Sequence, residues 1–144
     1  MIVRRLKKKE INELSRIVGL NYSKKTGKTV RKEIGMSFKK HLFRPEYVVA
    51  EDKGKILGFA GYNQSWINYH IYNIFWVNVH PRYQKQGVGK LLVKKIIEVI
   101  KTKKGENKAN MVLLTAKSPD YYKKFGFKIL KEFRRKDYLM GLNL

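Results

Sequence analysis

Apolar positions along the chain change period several times, and each change marks an element. Ile2, Val3 and Leu6 outline a short first strand over Ile2–Leu6. Ile11, Leu14, Ile17 and Val18 then recur at helical spacing within Lys8–Val18, with Gly19 near the end. Asn21–Lys28 reads as a basic linker; Thr29 is placed to cap a second helix whose face is Val30, Ile34, Phe38 and Leu42, and Pro45 stops it. Beyond Pro45 the helical period is lost. Tyr47–Ala50 and Lys55–Tyr62 flank the turn Glu51-Asp52-Lys53-Gly54 as a hairpin. Ile71–Val79 is apolar almost throughout, as expected of a strand covered on both faces near the centre of a sheet. Val88, Leu91, Leu92, Lys95, Ile96, Val99 and Ile100 then mark one face of a helix, followed by a charged loop over Lys103–Asn110 and a buried strand over Met111–Thr115. Ser118-Pro119 opens a short helix that ends at Gly126, and Phe127–Phe133 and Tyr138–Leu142 close the chain as a strand pair. The predicted order is β-α-α-β-β-β-α-β-α-β-β, a mixed α+β fold without repeats.

Composition narrows the picture. The 144 residues fit one domain spanning 1–144, and 43% hydrophobic with 12% aromatic content predicts a packed core rather than disorder. No apolar run approaches the roughly 18 residues needed to span a bilayer, and the basic start is not followed by a secretory apolar stretch. A cytoplasmic protein with no membrane partner is the expectation. The absence of cysteine excludes disulfides, thiolate nucleophiles and zinc-thiolate sites. It also excludes an acyl-cysteine intermediate. His41, His70 and His80 show no metal-ligand spacing, so no metal is expected. The formal charge of +22 has two readings: attraction to polyanions, or lysine-rich composition, since lysine supplies 25 of the 33 basic residues and is spread along the chain. Nonspecific polyanion binding follows from either.

The chemistry concentrates after the long apolar strand. His80-Pro81 ends it, and Gln84-Lys85-Gln86-Gly87-Val88-Gly89-Lys90 opens a helix. Glycines there clear side chains from unpaired backbone N–H groups at the positive end of the helix dipole, which suits a pyrophosphate. The spacing Gln84-x-x-Gly87-x-Gly89 resembles the acyl-CoA signature of the GCN5-related N-acetyltransferases (GNAT). Downstream, Tyr121-Tyr122-Lys123-Lys124-Phe125-Gly126-Phe127 is similar to that family's Tyr-x-x-x-Gly-Phe segment. The resemblance covers essentially the whole domain from Ile2 to the C-terminus, most firmly Tyr47–Phe127, and the predicted order matches the GNAT fold, a central mixed sheet flanked by about four helices. It implies transfer of an acetyl group from acetyl-CoA, as co-substrate, directly to an amine in a ternary complex. It implies that the backbone of Val77 and Val79 faces the pantetheine arm, with the Val79 N–H stabilising the oxyanion. It implies that Gln84, Lys85, Gln86, Gly87, Val88, Gly89 and Lys90 surround the pyrophosphate, and that Tyr122 is the acid for the departing thiolate and a second cofactor contact. Tyr121 is expected to point elsewhere.

One departure matters. Many family members carry a glutamate on the central strand to deprotonate the acceptor, and Ile71–Val79 has none; Asn73 stands there instead. A base-free site suits an α-amine, which costs about 1.4 kcal/mol to neutralise at pH 7, better than a lysine-type amine at about 4.6 kcal/mol. His80, His70, Glu46, Glu51, or water between Asn73 and Asn78 remain open as the base; Asp137 reads as a turn residue. Trp66, Tyr69, Tyr72 and Phe133 are candidates for an aromatic acceptor pocket. Lys24, Lys25, Lys28, Arg31, Lys32, Arg134, Arg135 and Lys136 around it favour an acceptor with a carboxylate or phosphate, or one presented on RNA. The acceptor is thus a small-molecule amine or a protein N-terminus, with a homodimer through the last strands as the resemblance implies. The other class of reading is a basic RNA- or ribosome-associated protein that keeps the fold with little catalysis.

Overall fold

A computed structural model describes residues 1–40 and 43–144; His41 and Leu42, the latter assigned above to a helix face, lie outside the described residues. The strands are β1 (Ile2–Arg5), β2 (Glu46–Asp52), β3 (Lys55–Gln64), β4 (Ile71–Val79), β5 (Met111–Ala116), β6 (Lys128–Phe133) and β7 (Asp137–Asn143). The helices are α1 (Ile11–Asn21), α2 (Lys24–Gly35), α3 (Val88–Lys101) and α4 (Pro119–Lys123). Their order along the chain is the predicted one. The seven strands form one sheet in the order β1-β2-β3-β4-β5-β7-β6, antiparallel except where β4 runs parallel to β5.

Alternation along β2 shows why the strand sequences are so apolar. Tyr47 and Val49 pack with Leu14, Ile17, Val18, Val30 and Ile34 of α1 and α2, while Val48 and Ala50 pack with Leu92, Ile96 and Ile100 of α3. Both faces are covered, so neither set of alternating positions is left polar. β4 is the fourth of the seven strands, central as its composition predicts.

Two helix assignments need correction. α2 begins at Lys24, not after Thr29, because Ser23 is the N-cap and its Oγ accepts from the Thr26 N–H at 3.1 Å. Thr29 lies inside the helix, its hydroxyl donating to the Lys25 carbonyl; Phe38 falls in a 3-10 turn and is exposed. On α3 the buried face is Val88, Leu92, Val93, Ile96, Ile97 and Ile100, rotated from the predicted stripe so that Lys95 is exposed. Val93 and Ile97 belong to the core because α3 lies over several strands and buries a stripe wider than one row.

The sheet opens at its centre. β4 and β5 pair only at Ile71–Met111, Tyr72–Val112 and Asn73–Leu113. Beyond Asn73, β5 continues its pairing with β7 to Ala116, while β4 runs on beside β3 alone. A bulge in β4 accompanies the divergence: Phe59 pairs with Asn78 and Gly61 with Phe75, leaving Trp76 and Val77 opposite Ala60. Phe75 and Trp76 consequently both face α1 and α2, while Val77 and Val79 face α3.

Candidate active site

The divergence of β4 and β5 leads into a cavity of about 570 Å³ that reaches the start of α3 and the side of α4. Backbone bonding at the end of β4 determines what the cavity sees. The His80 N–H donates to the Leu57 carbonyl at 2.8 Å, so the neighbouring Gly58–Val79 pair is the wide type whose polar groups turn outward. The N–H and C=O of Val79 therefore point away from β3, on the side where β5 has departed.

The Val79 carbonyl is held by two side chains. Asn21 Nδ2, at the end of α1, donates to it at 2.9 Å and to Asn78 Oδ1 at 3.2 Å. Gln84 Nε2 donates to the same carbonyl at 3.2 Å and to Asn21 Oδ1 at 3.0 Å. Asn78 is only 3% exposed, Asn21 is half-buried and Gln84 is exposed, so this network is a polar joint that runs from the core to the surface between α1, β4 and the turn before α3. The Trp76 bulge is fixed nearby. Its φ of +50° lies in the left-handed region, uncommon for a bulky residue and costly by about 1–3 kcal/mol. Trp76 Nε1 donates to Glu33 Oε2 at 2.6 Å, and the Tyr22 ring meets the indole edge-on with centroids 6.4 Å apart.

The α3 entrance forms a backbone donor site. Gly87, the N-cap, has φ +83°, a conformation that glycine adopts without a Cβ penalty, and Lys85 is also left-handed at φ +61°. The first bond within α3 runs from the Leu91 N–H to the Gly87 carbonyl, so the N–H groups of Val88, Gly89 and Lys90 precede the helical ladder. Gly89 is needed for space: a Cβ there would sit 2.7 Å from the Tyr121 hydroxyl. Lys85, Lys90 and Lys124 border the cavity and make this end electropositive.

Tyr122 lies on the opposite wall, among Tyr121, Phe125 and Phe127. Burial, aided by the neighbouring phenols of Tyr121 and Tyr22, pushes its pKa up to about 12. Tyr121 is shifted upward by burial as well. Both phenols are protonated at neutral pH and available as donors.

The cavity brings together Val77, Val79, Gln84, Lys85, Gly87, Val88, Gly89, Lys90 and Tyr122 from the sequence-based set. Gln86 is not in the lining; its Nε2 donates to the Arg82 carbonyl at 3.1 Å on the outer side of the turn. The Gln84 side chain is turned to Val79 and Asn21, so it orients the strand end. Tyr121, expected to point elsewhere, lines the cavity beside Tyr122. Asn78 lines it too, and Asn21, Tyr22, Tyr83 and Lys124 complete it without a local signal in the sequence.

The open question of the base narrows. His80 Nδ1 accepts from the Arg82 N–H at 3.1 Å, capping a 3-10 turn, and its ring belongs to a separate basin with Glu13 and Arg16. The His70 Nδ1–H donates to the Lys108 carbonyl at the far end of β4. Glu46 is bound by Tyr62 and Arg5, and Glu51 by Arg4. Asn73 pairs with Asn63. Among the described residues lining the cavity there is no carboxylate and no imidazole. The aromatic acceptor pocket is not assembled either. Tyr72 is buried with its hydroxyl donating to the Asn107 carbonyl, Phe133 is exposed on β6, and Trp66 and Tyr69 cluster around Phe43. Among the described residues no cluster of three or more His, Cys, Asp or Glu side chains is placed to hold a metal, and no helix is long and apolar enough to cross a membrane.

Residues 44–129 match the family model described as an acetyltransferase (GNAT) domain. No curated protein matches the chain. Among solved structures, the fold is similar to a protein from Desulfovibrio desulfuricans described as a GNAT-family acetyltransferase, with TM-score 0.85 and 15% identity over 99% of this chain and 98% of that one. It is similar to an aminoglycoside 6'-N-acetyltransferase complexed with coenzyme A, with TM-score 0.77 and 16% identity over 99% and 97% of the two chains. A GNAT-family acetyltransferase from Brucella melitensis in complex with acetyl-CoA gives TM-score 0.71 and 18% identity over 99% and 87%. At these identities the likeness is one of fold.

Proposed function

The chain belongs to the GNAT acetyltransferases, and on that footing we propose that it transfers an acetyl group from acetyl-CoA directly to an amine, as a single catalytic domain. The observation that carries the reading is the outward-turned Val79 in an unpaired stretch of β4, joined by one cavity to the free N–H groups at the start of α3. A strand edge inside a cavity suits the amides of a pantetheine arm, and the α3 entrance with Lys85 and Lys90 suits a pyrophosphate. The missing Cβ at Gly89 lets the Tyr121 hydroxyl close on the start of α3, while Gly87, with nothing within 4 Å of its Cβ position, leaves the turn open to a phosphate.

In the reaction the amine nitrogen attacks the thioester carbonyl, forming the C–N bond. The Val79 N–H donates to the resulting oxyanion, a contribution of about 2.7–4 kcal/mol for a preorganised donor. Collapse breaks the C–S bond, and Tyr122 donates to the departing thiolate. A phenol near 12 facing a thiol near 8.5 makes complete proton transfer uphill by about 5 kcal/mol. Tyr122 thus stabilises the thiolate by hydrogen bonding, and the proton that the thiol finally carries balances the one lost by the amine. With no carboxylate or imidazole in the lining, the acceptor enters as the free amine or loses its proton to water. This favours an amine of low pKa, such as a protein N-terminus, and the exposed Lys24, Lys25, Lys28, Arg31 and Lys32 of α2 favour a small amine that also bears an anionic group. The second reading, a basic RNA-associated protein with little turnover, is favoured by that same lack of a base. β6, with Ile129, Leu130 and Phe133 exposed, is the edge at which we place a second copy.

The test is thiol release from acetyl-CoA across a panel of N-terminal peptides and small anionic amines, for the native chain and Tyr122→Phe. The expected result is turnover that falls about 100-fold in the variant, with acetyl-CoA affinity unchanged. Equal turnover would remove Tyr122 from the chemistry. No turnover with any amine, together with tight binding of a structured RNA, would favour the second reading.

A further inference from the structure

Two features singled out in the sequence are not absorbed by the cavity: the aromatic residues between β3 and β4, and the excess of lysine. The structure places them together. Trp66 is 71% exposed, Ile67 91% and Tyr69 48%, at the tip of the β3–β4 connection. The tip is an ordered turn: the Ser65 N–H donates to the Ile71 carbonyl at 2.8 Å and the Ile67 N–H to Ser65 Oγ at 3.2 Å. The Phe43 ring packs behind it, 5.1 Å from Trp66 and 5.7 Å from Tyr69 between centroids.

The loop after α3 lies beside this tip. Gln64 Nε2 donates to Asn107 Oδ1 at 3.0 Å, Tyr72 Oη to the Asn107 carbonyl at 2.7 Å, and the His70 Nδ1–H to the Lys108 carbonyl at 2.6 Å. Lys101 at the end of α3 and Lys104 and Lys108 of that loop are exposed, with Glu106 the loop's one acid, and exposed Arg44 adjoins Phe43. The nine residues of β4 separate this end from Val79 by about 25 Å.

We propose that the Trp66–Tyr69 tip and the basic segment from Lys101, at the end of α3, to Lys108 form a docking surface for an anionic lipid bilayer. Tryptophan, tyrosine and an aliphatic side chain at a loop tip partition into the interfacial region, and lysines beside them add attraction to anionic headgroups. Local charge decides against a second copy of the chain on this face, because a two-fold contact would set Lys101, Lys104 and Lys108 against the same three lysines of the other molecule. Ile67, the most exposed side chain of the tip, favours a bilayer over a nucleic acid, since an aliphatic chain partitions into the acyl boundary while only the rings of Trp66 and Tyr69 would serve a base. Surface docking needs no spanning segment, so it is compatible with a sequence that shows none, although the sequence itself gives no membrane partner. It leaves the cavity at the other end of β4 open to solution.

The test is co-sedimentation of the full chain with phosphatidylcholine vesicles, with and without phosphatidylglycerol, at about physiological salt. The expected result is binding only to the anionic vesicles, reduced at least tenfold in the double variant Trp66→Ser/Ile67→Ser. Thermal melting of that variant should be unchanged, because both side chains are exposed. Tryptophan emission should move to shorter wavelength on anionic vesicles in the native chain and not in Trp66→Phe, which retains Trp76. Equal binding by the double variant would reduce the effect to charge alone and overturn the proposal. So would absence of vesicle binding, or retention of single-stranded RNA with Trp66 quenched and no response to vesicles, which would assign the surface to nucleic acid.

Discussion

Asn21 offers the sharpest test of how the site is built, because it lies on α1, far in sequence from the motif residues. Its amide donates to Val79 and Asn78, and its carbonyl accepts from Gln84, so one side chain braces the strand end that carries the proposed oxyanion donor. In Asn21→Ala, Asn78 loses a partner in a nearly dry position, which costs about 1–3 kcal/mol of stability. The Val79 carbonyl keeps Gln84 alone, and the N–H of the same residue, still directed by the strand pairing, is held less firmly. Loss of a complete oxyanion donor costs about 2.7–4 kcal/mol, so partial misalignment predicts a fall in kcat of about tenfold, or ~1.4 kcal/mol. The KM for acetyl-CoA should change little, because the N–H groups at the start of α3 are untouched. Asn21→Asp keeps the shape but replaces the donor with an acceptor facing the carbonyl, and should lose more activity than the alanine variant. Steady-state kinetics at saturating substrates, beside thermal melts of each variant, separate the effects. A lower melting temperature with unchanged kcat in both variants would show that the joint only holds α1 to the sheet.

Other consequences are open to direct measurement. Gly89→Ala should weaken acetyl-CoA binding by forcing the Tyr121 hydroxyl, 2.7 Å from the new Cβ, out of place, and adding Tyr121→Phe should restore part of the affinity; no recovery in the double variant would mean that the helix entrance itself is distorted. The pH dependence of kcat/KM should follow the acceptor, rising with pH to the amine's own pKa and shifting when an α-amine is replaced by an alkylamine. A fixed apparent pKa near 6–7 for every acceptor would reveal a base in the protein. Arg4 binds both Glu10 and Glu51, and its hydrogen bonds hold the Glu10 carboxyl below its ordinary value of 4.5. A carboxyl depressed in the folded state stabilises above its unfolded pKa, and that contribution disappears as pH falls through 4.5 and below. Chemical denaturation from pH 6 to pH 3 should show a shallower loss for Glu10→Gln, and identical slopes would dismiss the contribution.

Most of the fold is legible along the chain because each strand's apolar run and each helix's period is local. β4 is predicted to the residue, and Gly87 and Gly89 mark the start of α3. The misplaced parts depend on distant partners. The start of α2 is hidden because lysines at Lys24 and Lys25 look like linker, and only the Ser23 cap reveals it. The bulge at Trp76 leaves no trace in an all-apolar strand, yet it sets which side chains face α3. The side chains of Asn21 and Gln84 take their roles from a carbonyl on another element, which neither spacing nor the resemblance that implies Gln84 beside the pyrophosphate shows. The candidate bases fail for a related reason: each acid or imidazole is taken up by an arginine, a cap or a carbonyl that sequence separation conceals.

Calorimetric titration of acetyl-CoA, at physiological salt and again at several-fold higher salt, tests the central claim most directly. A chain of charge +22 binds any polyanion at low salt, and such binding falls steeply as salt rises. The predicted result is one-to-one binding with an affinity that largely survives high salt, because the strand edge at Val79 and the N–H groups of α3 bind through geometry. Binding that disappears with salt, or with no defined stoichiometry, would contradict a built acetyl-CoA site in this cavity.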